Sequence, residues 1–269
     1  MRTQLCLAAL VAFAALAAAG CANSQSVESG VSGSNYIPLP EDLNPPQQTP
    51  TTSPSGSPTA TPTPGPIAKG IDVSEYQGTV DWSAVKADGI DFAIIRATDG
   101  TGTIDSQFAT NWAAAKSAGV IRGAYQFFRP EEDGAAQADL LLSKMGTLDP
   151  GDIPPTLDVE VTDSQTDAHI LAAIANWRAE IKSAIGREPI IYTSPGFWDG
   201  LSGAPAEPET LWEAHWTSAN NPDPLPSSWT AYYFWQWSDS GSVANLSPVD
   251  LDRFHGDLAA LEDYIANGP

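Results

Sequence analysis

The sequence predicts an α/β fold: a modified, irregular (β/α) TIM-like barrel of about eight strands with few helices in its last third. Five short hydrophobic runs alternate with stretches of helical pattern between residues 67 and 195, and such alternation is typical of a parallel sheet. Three further runs follow one another after residue 209 with no convincing long helix between them. The strand candidates together indicate a barrel, and the last three predict a departure from its regular pattern.

The strand candidates are short and rich in Ile, Val, Phe, Tyr and Trp, which favour strands. In chain order they are AKGIDVS, DFAIIRAT, IRGAYQFF, PPTLDVEV, EPIIYTS, TLWEAHWTS, AYYFWQWSDS and VDLDRF. In a barrel of parallel strands the carboxyl ends meet at one end, and that end is where functional residues gather.

Three stretches between the earlier strands are predicted to be helices. DSQFATNWAAAKSAG places Phe108, Trp112, Ala115 and Ala118 on one face and ends at a glycine, which is a common helix stop. EEDGAAQADLLLSKMG and DAHILAAIANWRAEIKSAIG have a similar pattern. We expect these helices to connect successive strands of the sheet.

Residues 1–21, MRTQLCLAALVAFAALAAAGC, have the features of an export signal. Arg2 precedes an apolar run that ends in small residues, and the run is too short for a comfortable membrane span. AAAGC resembles a bacterial lipobox, in which Cys21 would carry the lipid after cleavage. Cys6 would be removed with the signal, so the remaining cysteine could form no internal disulfide. We expect an exported, membrane-anchored lipoprotein that faces the periplasm or the cell exterior; the alternative is a secreted protein cleaved nearby.

Residues 22–66 are predicted to be a disordered linker, because Pro, Thr, Ser and Gly dominate and few side chains could be buried. Residues 67–269 are rich in Trp, Tyr and Phe and are predicted to form one large domain. Such a linker would let an anchored domain act beyond the lipid headgroups, although a passive spacer would have the same composition.

The charge and the motif content exclude several classes of function. The formal net charge is −21 and no basic run is present, so we expect no nucleic-acid partner. His169, His215 and His255 are scattered, and no Cys or His spacing suggests a zinc site. Nucleophile-elbow, phosphate-binding and dinucleotide-binding glycine motifs are absent from the sequence. We therefore expect no metal and no cofactor. We also expect the protein to be a monomer.

Carboxylates fall late in several candidate strands. Asp158 and Glu160 of TLDVEV share one face of a strand because successive side chains alternate, while Leu157 takes the other face. Asp72 falls late in GIDVS, and Asp250 lies in VDLD. Taken singly, Asp72 and Asp250 would more often be expected to cap a loop or a helix. Their arrival at one rim with other acids and aromatic residues instead predicts an acidic bowl.

Aromatic and amide side chains are predicted to line the same bowl: Tyr125, Tyr192, Trp216, Gln236 and Trp237. Sugar rings have apolar faces that stack on Trp and Tyr, and glycosidic cleavage uses a pair of carboxyl groups. A like-charged neighbour raises the pKa of one carboxyl while the other stays ionised. On this reasoning Glu160, with its longer reach, is the better proton donor, and Asp158 the better ionised partner.

Seven segments of the chain, in their order, resemble glycoside hydrolase family 25, the bacterial and phage muramidases. The segments are KGIDVSEYQGTVDWSAVKADGIDFAIIRATDG, GAYQFF, PPTLDVEV, PIIYTS, LWEAHW, WQWSDSG and VDLDRF. The resemblance covers nearly all of residues 69–254. It implies a modified barrel that cleaves the β-1,4 bond from N-acetylmuramic acid to N-acetylglucosamine in peptidoglycan, in a retaining reaction assisted by the substrate's 2-acetamido group.

The resemblance also implies roles for individual residues. Glu160 matches the proton donor, and Asp158 matches a partner that orients or stabilises the acetamido group. Asp72 and Asp250 match the two other acidic positions of the cleft. The remaining matches are expected to line sugar subsites: Tyr192, Trp216, Gln236 and Trp237.

Three residues depart from the family pattern, and two other functions remain open. Asp252 stands where Asn is frequent, Gln126 where an aromatic residue or His is expected, and Trp216 where Tyr is commoner; these changes bear on substrate fit and pH optimum. A chitinase-like N-acetylhexosaminidase would use a similar strand end, but its longer acidic motif is missing before Asp158. A catalytically silent wall-anchoring lipoprotein would have no need of Asp158 and Glu160, two neighbouring acids that repel each other and resist burial.

Overall fold

The computed structural model describes residues 65–206 and 210–269. The predicted export signal and nearly all of the predicted linker lie outside the described residues. Within the two described ranges, no helix combines the length and the apolar character that a membrane span requires.

The described residues contain nine strands, eight of which correspond to the predicted runs. They are β1 (Ile67–Val73), β2 (Phe92–Asp99), β3 (Thr103–Ile104), β4 (Ile121–Phe127), β5 (Thr156–Asp158), β6 (Ile190–Thr193), β7 (Thr210–Ala214), β8 (Phe234–Val243) and β9 (Leu246–Asp257). The sheet order is β1-β9-β8-β7-β6-β5-β4-β2, and β1 also pairs with β2, which closes the barrel. The remaining strand, β3, has two residues and pairs only with β2. The predicted irregular barrel is confirmed.

The final two barrel strands explain why the last third departs from strand–helix alternation. The pairs from β1 through β2, β4, β5, β6 and β7 to β8 are parallel, whereas β9 runs antiparallel to both β8 and β1. Val243 pairs with Leu246, so a turn of two residues joins β8 to β9. A turn that short permits only an antiparallel partner, because a parallel one needs a long crossover.

Helices cover the outside of the barrel and one of its ends. They are α1 (Trp82–Ala87), α2 (Phe108–Ser117), α3 (Gly134–Met145), α4 (Asp167–Ile185), α5 (Pro195–Trp198) and α6 (Leu258–Asn267). The three predicted helices are α2, α3 and α4. Asp133 caps α3 by accepting from the Ala136 N–H at 2.8 Å. Gly186 ends α4 with a φ of 72°, a left-handed conformation that glycine adopts without strain.

Two hydrophobic clusters follow from the alternation of side chains along the strands. Ala93 and Ile95 of β2 point outward into the layer of helices, while Phe92 and Ile94 point into the barrel. Rings fill the amino-terminal half of the barrel, with Phe92 and Phe254 at 5.5 and 5.1 Å from the ring centre of Phe234.

The amino-terminal half of the barrel is closed by α6, a helix that the sequence analysis did not identify. Leu261, Tyr264 and Ile265 of α6 are buried against the inner cluster. Gly70 lies in the same region, where a Cβ atom would meet the ring of Phe92 at 2.3 Å. The inside of the barrel is therefore filled at this end, and the barrel opens at the carboxyl ends of the strands.

Candidate active site

A cavity of about 360 Å³ lies at the carboxyl ends of the parallel strands. Most of the predicted site residues line it: Asp72, Tyr125, Asp158, Glu160, Tyr192, Trp216, Gln236 and Asp250. They come from seven strands or the loops that follow them, so the closure of the barrel brings them together. The position agrees with the end at which barrel enzymes carry their sites.

The chain after β5 positions the two central acids. β5 ends at Asp158, earlier than the predicted run, but the Val159 N–H donates to the Tyr192 carbonyl at 2.9 Å and prolongs the extended path. Leu157 and Val159 are fully buried in the outer cluster. Asp158 and Glu160 therefore turn to the cavity, Asp158 nearly buried and Glu160 at its exposed rim.

Burial raises the pKa of both of these acids, and the charge of Glu160 adds to the shift of Asp158. Burial raises the pKa of Asp158 well above its usual value, and the charge of Glu160 raises it further, while Arg96 and Arg129 oppose the shift. Burial also raises the pKa of Glu160, again opposed by Arg129. Because the two groups interact, the pair retains a proton to a higher pH than a free carboxyl would.

Asp158 also presents an unused acceptor. Its Oδ1 atom is buried and has no hydrogen-bond partner within the described residues. A buried carboxyl oxygen without a donor is costly, and a ligand N–H or O–H would satisfy it. The geometry therefore suits a substrate that brings a donor to the floor of the cavity.

Gln236 joins three parts of the site. Its Nε2 donates to Asp72 Oδ2 at 2.8 Å. Its Oε1 accepts from the Tyr192 hydroxyl and from Trp216 Nε1, both at 2.9 Å. These three bonds fix the orientation of the amide, since a flipped amide would place its NH₂ against two donors.

Asp72, Asp250 and Asp252 form a second group of acids. Asp72 of β1 pairs in register with Asp250 of β9. Burial raises the pKa of Asp72 well above its usual range, and the charges of Asp252 and Asp250 add to this. The pKa of Asp250 is raised to about 6, first by burial. Across residues 65–206 and 210–269, no group of three or more His, Cys, Asp or Glu side chains has a geometry that could hold a metal ion.

The aromatic lining has a packed lower part and an exposed upper part. Trp212 lies edge-on to Tyr192 and Tyr125, with ring centres 4.6 and 6.4 Å away. At the rim, Trp216 is 58 % exposed and Tyr76 is 81 % exposed. The lower rings are held rigidly, whereas the exposed faces at the rim are free to stack on a ligand.

Several lining residues were missed by the sequence analysis: Ser74, Tyr76, Gln77, Arg96, Phe127, Trp212 and Asp239. Arg96 is the cation among the described lining residues, and its Nε donates to Asp105 Oδ2 at 3.0 Å. Period-two alternation along FAIIRAT would have placed it on the inward face with Ile94. Tyr76 lies in the short helical turn after β1, where no sequence pattern marks it.

Two residues singled out from the sequence face away from the cavity. Trp237 follows Gln236 in β8, and because neighbouring side chains alternate it lies on the outer face, with its ring 4.4 Å from the Arg253 guanidinium. Trp237 therefore does not line the cavity, contrary to the expectation. Gln126 is also outside: its Oε1 accepts from Trp177 Nε1 at 2.7 Å beneath the helices.

An acid-lined cavity with aromatic walls at this end of a barrel is the kind of site that glycoside hydrolases use. The sequence pattern of glycosyl hydrolases family 25 matches residues 71–246. The chain belongs to this family.

Individual relatives agree with the family. Lysozyme M1 of Streptomyces globisporus is 37 % identical over 206 residues, which cover 72 % of this chain and 69 % of that protein. The N,O-diacetylmuramidase of Chalaropsis sp is 31 % identical, covering 67 % of this chain and 98 % of that one. Among solved structures, a bacterial lysozyme from Streptomyces coelicolor has a TM-score of 0.71 at 35 % identity, covering 75 % of this chain and 98 % of that chain.

Proposed function

We propose that this protein is a muramidase that hydrolyses the β-1,4 bond between N-acetylmuramic acid and N-acetylglucosamine in peptidoglycan. The observation that supports this best is the placement of Asp158 and Glu160 together in an aromatic-walled cavity, in a chain that belongs to family 25. Relatives named lysozyme and N,O-diacetylmuramidase support the same substrate.

In the proposed first step, Glu160 is the acid. It lies at the rim of the cavity with part of its side chain open to solvent, where the glycosidic oxygen of a bound glycan strand can reach it, and the desolvation of the remainder raises its pKa. Glu160 gives its proton to the leaving oxygen as the bond from C1 to that oxygen breaks. A raised pKa lets Glu160 keep its proton to a higher pH than an ordinary glutamate would, and the proton is then available for donation.

Asp158 orients the acetamido group in the same step. Its unpaired Oδ1 accepts the acetamido N–H, and the acetamido carbonyl oxygen then bonds to C1 on the face opposite the leaving group. In the second step water attacks C1, gives its proton to Glu160 and releases the acetamido oxygen. Two displacements at C1 retain the anomeric configuration.

The rest of the cavity holds the sugars. The exposed faces of Trp216 and Tyr76 offer stacking platforms at the rim. Tyr125 and Tyr192 lie deeper, against Trp212. The anionic wall and the chain's net charge of −21 repel each other at long range, so affinity depends on these short-range contacts.

The test is digestion of bacterial peptidoglycan by the purified protein, followed by reduction and mass spectrometry of the released fragments. Fragments that end in reduced muramic acid, absent with Glu160→Gln, are expected. Reduced glucosamine ends would move the scissile bond to the other linkage. Sedimentation with the wall and no released fragments would favour an anchoring protein over an enzyme.

We further propose that the protein is exported and anchored through a lipid on Cys21. The support is the sequence of residues 1–21 alone: a cation, an apolar run, small residues and then cysteine. Growth with a labelled fatty acid should label the native chain, and Cys21→Ser should abolish the label. Equal labelling of both proteins would contradict the proposal.

A further inference from the structure

Asp252 is the most deeply buried acid beside the cavity. It is 1 % exposed and lies on β9, where it pairs with Gly70 of β1 and with Gln236 of β8. Its Oδ1 accepts from Trp212 Nε1 at 2.9 Å. Its Oδ2 is buried and receives no N–H or O–H from the described residues. An ionised carboxyl would leave this second oxygen without a donor, which is costly in a site out of water.

The neighbour of Asp252 is another carboxyl. The Asp252 side chain is within hydrogen-bonding contact of Asp72, which already accepts from Gln236. Two carboxylates cannot bond to each other, because both are acceptors only. One proton between them turns the repulsion into a short bond and satisfies both buried groups.

The charged groups around this pair favour retention of the proton. Asp250 lies beside it on β9 and is also within hydrogen-bonding contact of Asp72, but it is less buried than Asp252; Asp158 faces Asp72 from β5. Asp239 of β8 and Glu160 act on Asp250. The cation of the cavity, Arg96, is bonded to Asp105 and Glu75 on another side.

Lys69 and Arg253 belong to the same paired strands but do not lie among the inward-facing side chains. Within the described residues, neither forms an ion pair with the acids near Asp252. Arg253 instead stacks between the rings of Trp235 and Trp237, 5.3 and 4.4 Å from their centres. The inward-facing surroundings of the pair are therefore anionic or neutral, whereas Lys69 and Arg253 lie on the outer side, in a cavity that Asp252 and Asp88 also line. Burial, followed by neighbouring negative charge, raises the pKa of Asp72; burial is also the main cause of the raised pKa of Asp252.

We propose that Asp252 is a positioning residue: it shares one proton with Asp72, and the bond between the two carboxyls holds Asp72 and Gln236 in the geometry that the cavity requires. The inference rests on the proposed function for its effect on catalysis. The chain of bonds runs from Trp212 through Asp252 and Asp72 to Gln236, and from there to Tyr192 and Trp216 at the wall. Loss of the shared proton at higher pH leaves Asp252 and Asp72 both negatively charged. Their repulsion then disrupts the hydrogen bonds that continue from Asp72 to Gln236.

Asp252→Asn is the informative variant. The amide oxygen can still accept from Trp212, and the amide nitrogen can donate to an ionised Asp72 in place of the shared proton. The bond then no longer depends on pH. Asp252→Leu has a similar size but can make neither bond, and Asp139→Asn removes one exposed charge on α3 as a control.

The first measurement is the pH profile of kcat/KM for release of peptidoglycan fragments. The alkaline limb of Asp252→Asn is expected to move upward by roughly one pH unit or more, with activity at the optimum within about threefold of native. Asp252→Leu should lose about tenfold or more throughout, and Asp139→Asn should match the native profile. An alkaline limb of Asp252→Asn that superimposes on the native one overturns the positioning role.

The second measurement does not require activity. Because the folded pair binds a proton that the unfolded chain releases, native stability falls as pH rises above the unfolded carboxyl pKa of about 4. The Tm of Asp252→Asn minus that of the native protein should therefore increase from pH 4 to pH 8, and Asp139→Asn should show no such trend. A difference that does not change with pH overturns the shared proton. If the native protein releases no fragments at any pH, the proposed function fails while this measurement still decides the state of the pair.

Discussion

The Tyr192 hydroxyl donates a hydrogen bond of 2.9 Å to Oε1 of Gln236, and this bond joins β6 to β8 across the wall of the cavity. The same amide donates to Asp72 on β1. Three strands that are distant in sequence therefore meet at one side chain. The bond also makes Gln236 sensitive to any change that exchanges its donor and acceptor atoms.

Gln236→Glu tests this arrangement. The new carboxylate could still accept from Tyr192 and Trp216, but it would have no N–H for Asp72 and would add a negative charge beside it. We expect kcat/KM to fall by about 100-fold at neutral pH and to recover partly at acidic pH, where a proton can bridge the two carboxyls. Steady-state assays between pH 4 and pH 8 would show this, and a loss that is constant with pH would contradict it.

Asp158→Asn tests the second acid of the pair. The amide removes the charge, and its neutral oxygen is a weaker acceptor for the acetamido N–H than a carboxylate, so the orienting bond is weakened. We expect kcat to fall by roughly 10³-fold or more, with a smaller change in KM, because the bond strengthens as the acetamido group attacks. Circular dichroism should show a native fold. Activity within about tenfold of native would remove Asp158 from the mechanism.

Glu213 is expected to make stability depend on pH from outside the cavity. It is fully buried on β7, both carboxyl oxygens lack a hydrogen-bond partner within the described residues, and burial together with the charge of Asp223 raises its pKa to about 8. The folded state therefore holds a proton that the unfolded chain loses near pH 4, and the stabilisation is lost as pH rises toward about 8.

Glu213→Gln keeps the shape and removes the ionisation. The Tm difference between Glu213→Gln and the native protein should grow in favour of the variant from pH 5 to pH 8. Differential scanning calorimetry with Glu180→Gln on α4 as a control would measure it. A difference that shrinks as pH rises would mean that Glu213 is ionised in the fold, paired with His215, whose Nδ1 lies 3.5 Å from Oε1.

Salt is expected to leave the rate on intact wall unchanged or to raise it. The net charge of −21 and the anionic substrate repel each other, and added ions screen that repulsion. Rates of wall clearance from low salt to about 0.2 M should therefore not decrease. A short soluble glycan fragment provides the comparison, since it has less charge to repel. A steep fall with salt on the wall alone would indicate attractive steering.

Much of the site could be predicted because it depends on local patterns. The alternation along TLDVEV is a property of any strand, and it places Asp158 and Glu160 on one face wherever the strand lies. Residues at the carboxyl ends of parallel strands meet at one rim of the barrel, so Asp72 and Tyr192 could be predicted to lie near Asp158 and Glu160. The same alternation excludes Trp237 from the cavity, because Gln236 and Trp237 are neighbours in β8 and cannot both point inward.

Other features depend on contacts that a single segment does not reveal. Alternation along β2 gives the inward direction of Arg96, but its partners Asp105 and Glu75 lie after β3 and in the helical turn after β1, and the β2 segment alone does not reveal those contacts. The direction of β9 depends on the two-residue turn between β8 and β9. The sequences of these two strands resemble those of the parallel strands, so their composition does not reveal that direction. The packing of α6 depends on an aromatic cluster assembled from several strands.

The pairing of β1 with β9 has a consequence for the order in which the protein is assembled. A chain synthesised from its amino terminus presents Asp72 early, while β9, which carries Asp250 and Asp252, emerges after every other described strand. Contacts of such large sequence separation form late. A nascent chain thus has Asp72, Asp158 and Glu160 but lacks the two acids of β9, so the complete site arises only when synthesis is almost finished.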